Sequence, residues 1–141
     1  MIDRKTGFLE LAFDKTIKPT MSLGEIKSMD IGESQSEIDM GNGWKWYNVR
    51  NVKVAELYFI ISFGFLDDRL KQLSLVFSNS KYDLSKGWES WNEKEERRNA
   101  VVFDNWLKAE LGSGKTFSWG EVWVDYDEKG GSSSIGIRYK N

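Results

Sequence analysis

The segment LYFIISFGFLDDRLKQLSLVF, residues 57–77, decides the fold. Leu57, Phe59, Ile61, Phe63 and Phe65 recur at period two, so they share one face of a strand predicted over about 55–65. Tyr58 and Ile60 make the opposite face apolar near its middle, which places this strand inside a sheet. Leu66-Asp67-Asp68-Arg69 reads as a turn, because short acidic side chains favour turn backbones. The next strand, over about 70–78, sets Leu73, Leu75 and Phe77 on one face. Upstream, Trp44 through Val52 makes another strand over about 44–53, which completes an antiparallel meander.

Further toward the C-terminus the period changes. Ala100, Phe103, Trp106, Leu107 and Leu111 fall at helical spacing, predicting a helix over 91–111. Ser90 three before Glu93 forms a capping box at its start, and Gly112 is a good C-cap residue at its end. Asp104 and Lys108 are an i,i+4 pair on its exposed side. A hairpin follows, with arms 117–126 and 133–139 joined by Asp127-Glu128-Lys129-Gly130-Gly131. On the N-terminal side, residues 7–13 read as a strand with Leu9, Leu11 and Phe13 on one face. Ser22 and Glu25 form a capping box for a short helix over about 22–29. Residues 30–43 are polar and glycine-dotted, and read as a flexible loop; residues 79–90 read as a polar connection. The expected architecture is α+β: a single domain over residues 1–141, with an antiparallel sheet of five to six strands packed on one long and one short helix.

Composition narrows the chemistry. The 141 residues include no cysteine and no histidine, with 40% apolar and 14% aromatic residues, seven of them tryptophan. Without cysteine there is no disulfide, thiolate zinc site, iron–sulfur ligation or thiol nucleophile. Twenty Lys and Arg against 22 Asp and Glu give a net charge of −2, interleaved along the chain. No basic field for nucleic acid arises, and an acidic chain is poorly suited to anionic membranes. The longest apolar run, Leu57 to Leu66, is about half of what a membrane helix needs. Met1-Ile2-Asp3-Arg4-Lys5 carries no apolar run of the signal-peptide type, so a cytoplasmic location is the expectation.

Four residue sets resemble catalytic or metal-binding signatures. Gly112-Ser113-Gly114-Lys115-Thr116 looks like the end of a phosphate-binding loop, but Ala109 stands where the first glycine belongs. The segment also closes a helix instead of opening one, so its amides cannot gather at a helix N-terminus. Ser78-Asn79-Ser80-Lys81 matches Ser-x-x-Lys by spacing alone, at the end of a strand. Glu121 and Asp125 point to one strand face about 13 Å apart, too far for a glycosidase pair. Asp125, Asp127 and Glu128 are conceivable weak calcium ligands at a turn, although turn acids are usually just solvated. No catalytic residue, metal site or cofactor is expected.

The hairpin carries the candidate site. Alternation sets Val122, Val124 and Tyr126 with Ile135, Ile137 and Tyr139 against the helix. Phe117, Trp119, Glu121, Trp123 and Asp125 then face outward, beside Gly136 and Arg138. One tryptophan can cover Gly136, and Arg138 can stack on an indole and pair with Glu121 or Asp125. Exposed aromatic and charged groups of this kind are enriched at protein interfaces. Trp44, Trp46 and Arg50 form a similar set on the first meander strand, directed into solvent or under the 30–43 loop, with loop cover the expectation. The expected function is a non-catalytic protein-binding module, of adaptor or immunity type, using Trp119, Glu121, Trp123, Asp125 and Arg138. The alternatives are a carbohydrate or small-ligand binder stacking on Trp119 and Trp123, and a carboxylate-dependent hydrolase.

Overall fold

The computed structural model describes residues 1–12, 15–79, 81, 93–127 and 132–140. The expected meander forms as β4 (Trp44–Val54), β5 (Leu57–Leu66) and β6 (Arg69–Ser78). Asp67 and Asp68 both adopt positive φ, 52° and 62°, so the β5–β6 turn has the mirror-image twist that suits a two-residue hairpin. The Asp68 carboxylate also accepts from the Leu23 amide at 3.2 Å, tying this turn to the start of helix α1 (Leu23–Lys27). Ser22 caps that helix reciprocally with Glu25, at 3.2 and 3.1 Å.

Helix α2 (Glu93–Leu111) ends where expected. Gly112 takes φ 80° and returns its N–H to the Lys108 carbonyl at 2.9 Å. The Asp104–Lys108 ion pair is present at 3.1 Å, and Lys115 reaches the other Asp104 oxygen at 3.0 Å. Ser90, Trp88, Trp91, Phe13 and the tip of the last hairpin lie outside the described residues.

The strand count exceeds the expectation. Among the described residues the main sheet has seven antiparallel strands, in the order β3 (Ser34–Asp39), β4, β5, β6, β9 (Ser132–Tyr139), β8 (Gly120–Asp127) and β7 (Thr116–Phe117), and β1 (Leu9–Ala12) pairs with β2 (Lys15–Ile17) in a separate ribbon. Residues 30–43 are not simply a loop: Ser34–Asp39 forms β3, paired continuously with β4 from Ser34↔Arg50 to Asp39↔Lys45. Its sequence, SQSEID, shows no apolar alternation because both its faces are exposed, so backbone pairing alone makes it a strand. The last hairpin divides into β7 (Thr116–Phe117), β8 (Gly120–Asp127) and β9 (Ser132–Tyr139), and β9 inserts beside β6.

Among the described residues, the covering layers lie on one side of the sheet. Tyr47, Val49, Phe59, Ile61, Phe63, Leu73, Leu75, Val122, Ile135 and Ile137 are buried there. Phe103, Leu107 and Leu111 of α2 join them, as do Leu9, Ile17 and Ile26 from the N-terminal layer. Phe77 packs 4.7 Å from the Phe103 ring and 5.5 Å from Trp106, while Phe59 lies 5.7 Å from Trp106. The buried Tyr139 hydroxyl donates to the Gly7 carbonyl at 2.7 Å, joining β9 to the N-terminal segment.

Two outcomes are expected. Phe103, 1% exposed, anchors α2, so Phe103→Ala lowers stability by about 3–5 kcal/mol in urea unfolding. Burial pushes the Tyr139 phenol well above its ordinary value of 10.0. A raised folded-state pKa gives stability that is complete below about pH 10 and is lost as pH rises toward the folded value. The wild type therefore loses up to about 1.4 kcal/mol per pH unit more than Tyr139→Phe above that point. Parallel pH–stability curves for the two proteins count against this account of Tyr139.

Candidate functional site

Among the described residues, no helix or strand packs over the other side of the sheet. Period two sends alternate residues of β3–β6, β8 and β9 outward, and among the described ones only Gly64 and Gly136 are buried. Register aligns these residues into rows. One row runs Ser36–Asn48–Ser62–Ser74–Gly136–Trp123 across six strands. Its neighbour runs Ile38–Trp46–Gly64–Gln72–Arg138–Glu121.

Each row contains one glycine, and each glycine lies under a tryptophan. A Cβ on Gly136 would fall 2.2 Å from the Trp123 ring, and one on Gly64 would fall 2.8 Å from Trp46. The indoles therefore lie flat on bare backbone, filling gaps that glycine leaves in the pleat. Arg138 stands 5.6 Å from the Trp123 ring centre, with its Nη1 3.4 Å from Glu121 Oε1. Asp125 is on the same face, opposite Ser134. Four of the five residues singled out on the hairpin are thus gathered on the outer face.

Trp119 is not with them. Phe117 pairs with Gly120, so Ser118 and Trp119 form a turn and the period-two count from Trp123 stops at β8. Trp119 folds back over Gly7 and donates from Nε1 to the Arg4 carbonyl at 2.9 Å. It stacks on Phe117 at 4.9 Å and leans on Tyr139 at 6.0 Å. Its position explains why Gly7 has no side chain, and it serves packing.

The opposite end of the face carries a feature that strand β3 reveals. Ile38 is 51% and Met40 55% exposed. Ile38 pairs with Trp46, and the Met40 amide donates to the Trp44 carbonyl at 2.9 Å. Trp44 and Trp46 stack with centroids 6.2 Å apart and planes 13° off parallel. The segment expected to cover these indoles instead extends them into an apolar corner of Ile38, Met40, Trp44 and Trp46. The signal in the sequence was Ile38 and Met40 themselves, two large apolar residues in a polar stretch.

Behind β3, on the covered side, an open hollow of about 430 Å³ is lined by Lys27, Asp30, Gln35, Ser36, Glu37 and Tyr47. Lys27 is paired with Glu37, which holds the lysine above its ordinary value. Burial raises the Tyr47 phenol. Near the start of β3, Lys81 pairs with Glu33 and, with the Asn51 amide, depresses that carboxyl. Among the described residues, no three carboxylates gather to hold a metal ion, and no helix is long and apolar enough to cross a membrane. Glu128 lies outside them. Comparison with protein-family models, curated proteins and solved structures returned no match to this chain.

The glycine–tryptophan contact generates a double-mutant prediction. Gly136→Ala is expected to destabilise by about 1–3 kcal/mol, because the indole must leave its bed. In a Trp123→Ala background the same change is expected to be neutral or to stabilise by up to about 1 kcal/mol. Equal costs in both backgrounds would mean that Trp123 does not rest on Gly136.

Proposed function

We propose that the protein is a non-catalytic binding module whose partner is another protein, docked on the open face of the sheet. The apolar corner carries this reading: Ile38 and Met40 stand more than half exposed beside two stacked tryptophans. Aromatic residues and methionine are enriched in the cores of protein interfaces, and a rim of charged and polar groups surrounds such cores. Glu121, Asp125 and Arg138, with Trp123, supply polar and charged groups on the same surface. Trp119 drops out of the proposed surface because its ring is engaged by Gly7, Phe117 and Tyr139.

An adaptor or a neutralising, immunity-type protein is the concrete form of this proposal, and a cysteine-free chain suits a reducing cytoplasm. Sugar binding is less well supported, since it needs a free indole face. Trp123 has Gly136 beneath it and the Arg138 guanidinium beside it. A hydrolase would need paired carboxylates, and Glu121 is already paired with Arg138.

The test is site-specific photo-crosslinking in cells of the source organism. A crosslinking residue at position 40 is expected to yield a discrete adduct with one polypeptide, whereas one at position 56, in the β4–β5 turn, yields none. Ile38→Glu combined with a crosslinker at position 40 is expected to abolish the adduct without altering the melting temperature. Identical adduct patterns at positions 40 and 56 would overturn the proposal.

A further inference from the structure

The two margins of the main sheet are built differently. On one side β7 has two residues, too short to template another strand. On the other, β3 has six residues in unbroken register, without proline or bulge. The Met40 amide points to β4, so alternation turns the N–H and C=O of Ile38 and Ser36 to β4 as well. The main-chain groups of Gln35, Glu37 and Asp39 point away, and among the described residues no strand pairs with that edge.

Chemistry differs on the two sides of this edge. On the open side stand Ile38 and Met40, beside Trp44 and Trp46. On the covered side is the hollow, containing Asp30, Glu37, Lys27 and Tyr47. Lys27 is taken by Glu37, and Asp30 makes no ion pair among the described residues. Asp39 lies further along, opposite Lys45 on β4. The acids also weigh against a second copy of β3. In antiparallel self-pairing, any register that centres on Glu37 or Ile38 sets Glu37 opposite Glu37 or Asp39, and like charges directly opposite destabilise.

We infer that β3 accepts an extended segment of the partner as an eighth strand, with a basic side chain directed into the hollow beside Asp30 and apolar side chains laid against Ile38 and Met40. This rests on the protein-binding reading and names the mode of recognition. Main-chain hydrogen bonds to Gln35, Glu37 and Asp39 would supply affinity, and the two flanking environments would supply selectivity.

The probes are short synthetic peptides alternating valine or leucine with lysine, against a matched series with glutamate in place of lysine. The lysine series is expected to bind and to slow amide hydrogen exchange at Gln35 and Glu37. Gln35→Pro deletes an outward N–H, leaves the β4 ladder and the Lys27–Glu37 pair intact, and is tolerated at such an edge position. Gln35→Ala removes the same side chain but keeps the N–H. Affinity for the lysine peptides is expected to fall at least about tenfold from the alanine to the proline variant, with melting temperatures alike. Equal binding by the two variants, equal binding by the two peptide series, or no binding of any lysine peptide at about 1 mM would overturn the inference. The adduct at position 40 separates the two levels of argument. Its persistence in Gln35→Pro refutes strand addition alone, whereas its absence from the wild type refutes protein binding at this face.

Discussion

Phe77 sits where the sheet meets the long helix, against Phe59 on β5 and against Phe103 and Trp106 on α2. This aromatic contact clamps the long helix to one face of the sheet, and the rest of the architecture follows from that choice of side. Period-two alternation in β4, β5 and β6 places the fully buried apolar residues on the same face, and α2 and the N-terminal layer divide that surface between them. The helix takes the β8–β9 half. The N-terminal ribbon reaches β4, and Tyr139 and Trp119 stitch the first residues to the C-terminal strands through Gly7 and Arg4.

The consequence is an outer face, uncovered among the described residues, that mixes a row of short polar side chains with Tyr58, Ile60 and Val76 and with two indoles lying on glycines. Serine and asparagine leave a low surface, and a tryptophan over glycine adds apolar area without needing a covering layer. The Trp123 cluster is internally satisfied by Gly136, Arg138 and Glu121. The Trp46 end is not closed in this way, because Ile38 and Met40 continue it to the margin of the sheet. The asymmetry directs the functional reading away from the hairpin and toward β3 and β4.

Much of this was legible in the chain. The strands within 44–78, both helices, the glycine cap at Gly112 and the inward set of Val122, Val124, Ile135 and Ile137 follow from periodicity and capping chemistry. The pairing of Arg138 with Trp123 and Glu121 follows from strand alternation once the hairpin is placed. Trp119 was misassigned because alternation holds only while backbone remains in a strand, and a two-residue turn at Ser118–Trp119 ends it. β3 was missed for a related reason: an edge strand exposed on both faces has no burial pattern to betray it.

Local signals therefore sufficed for the α+β class, for the hydrophobic faces and for a chain without histidine or thiol chemistry, since each depends on residue type and near-neighbour spacing. Strand order, the insertion of β9 between β6 and β8, and the rows that bring Gly64 under Trp46 and Gly136 under Trp123 arose only on folding. Hydrogen bonding between distant segments sets those relations, and no short window of sequence records which strand will be whose neighbour. The same holds for the outer edge of β3, with which no strand pairs among the described residues. Its exposure is a property of where the sheet stops, which tertiary pairing alone decides.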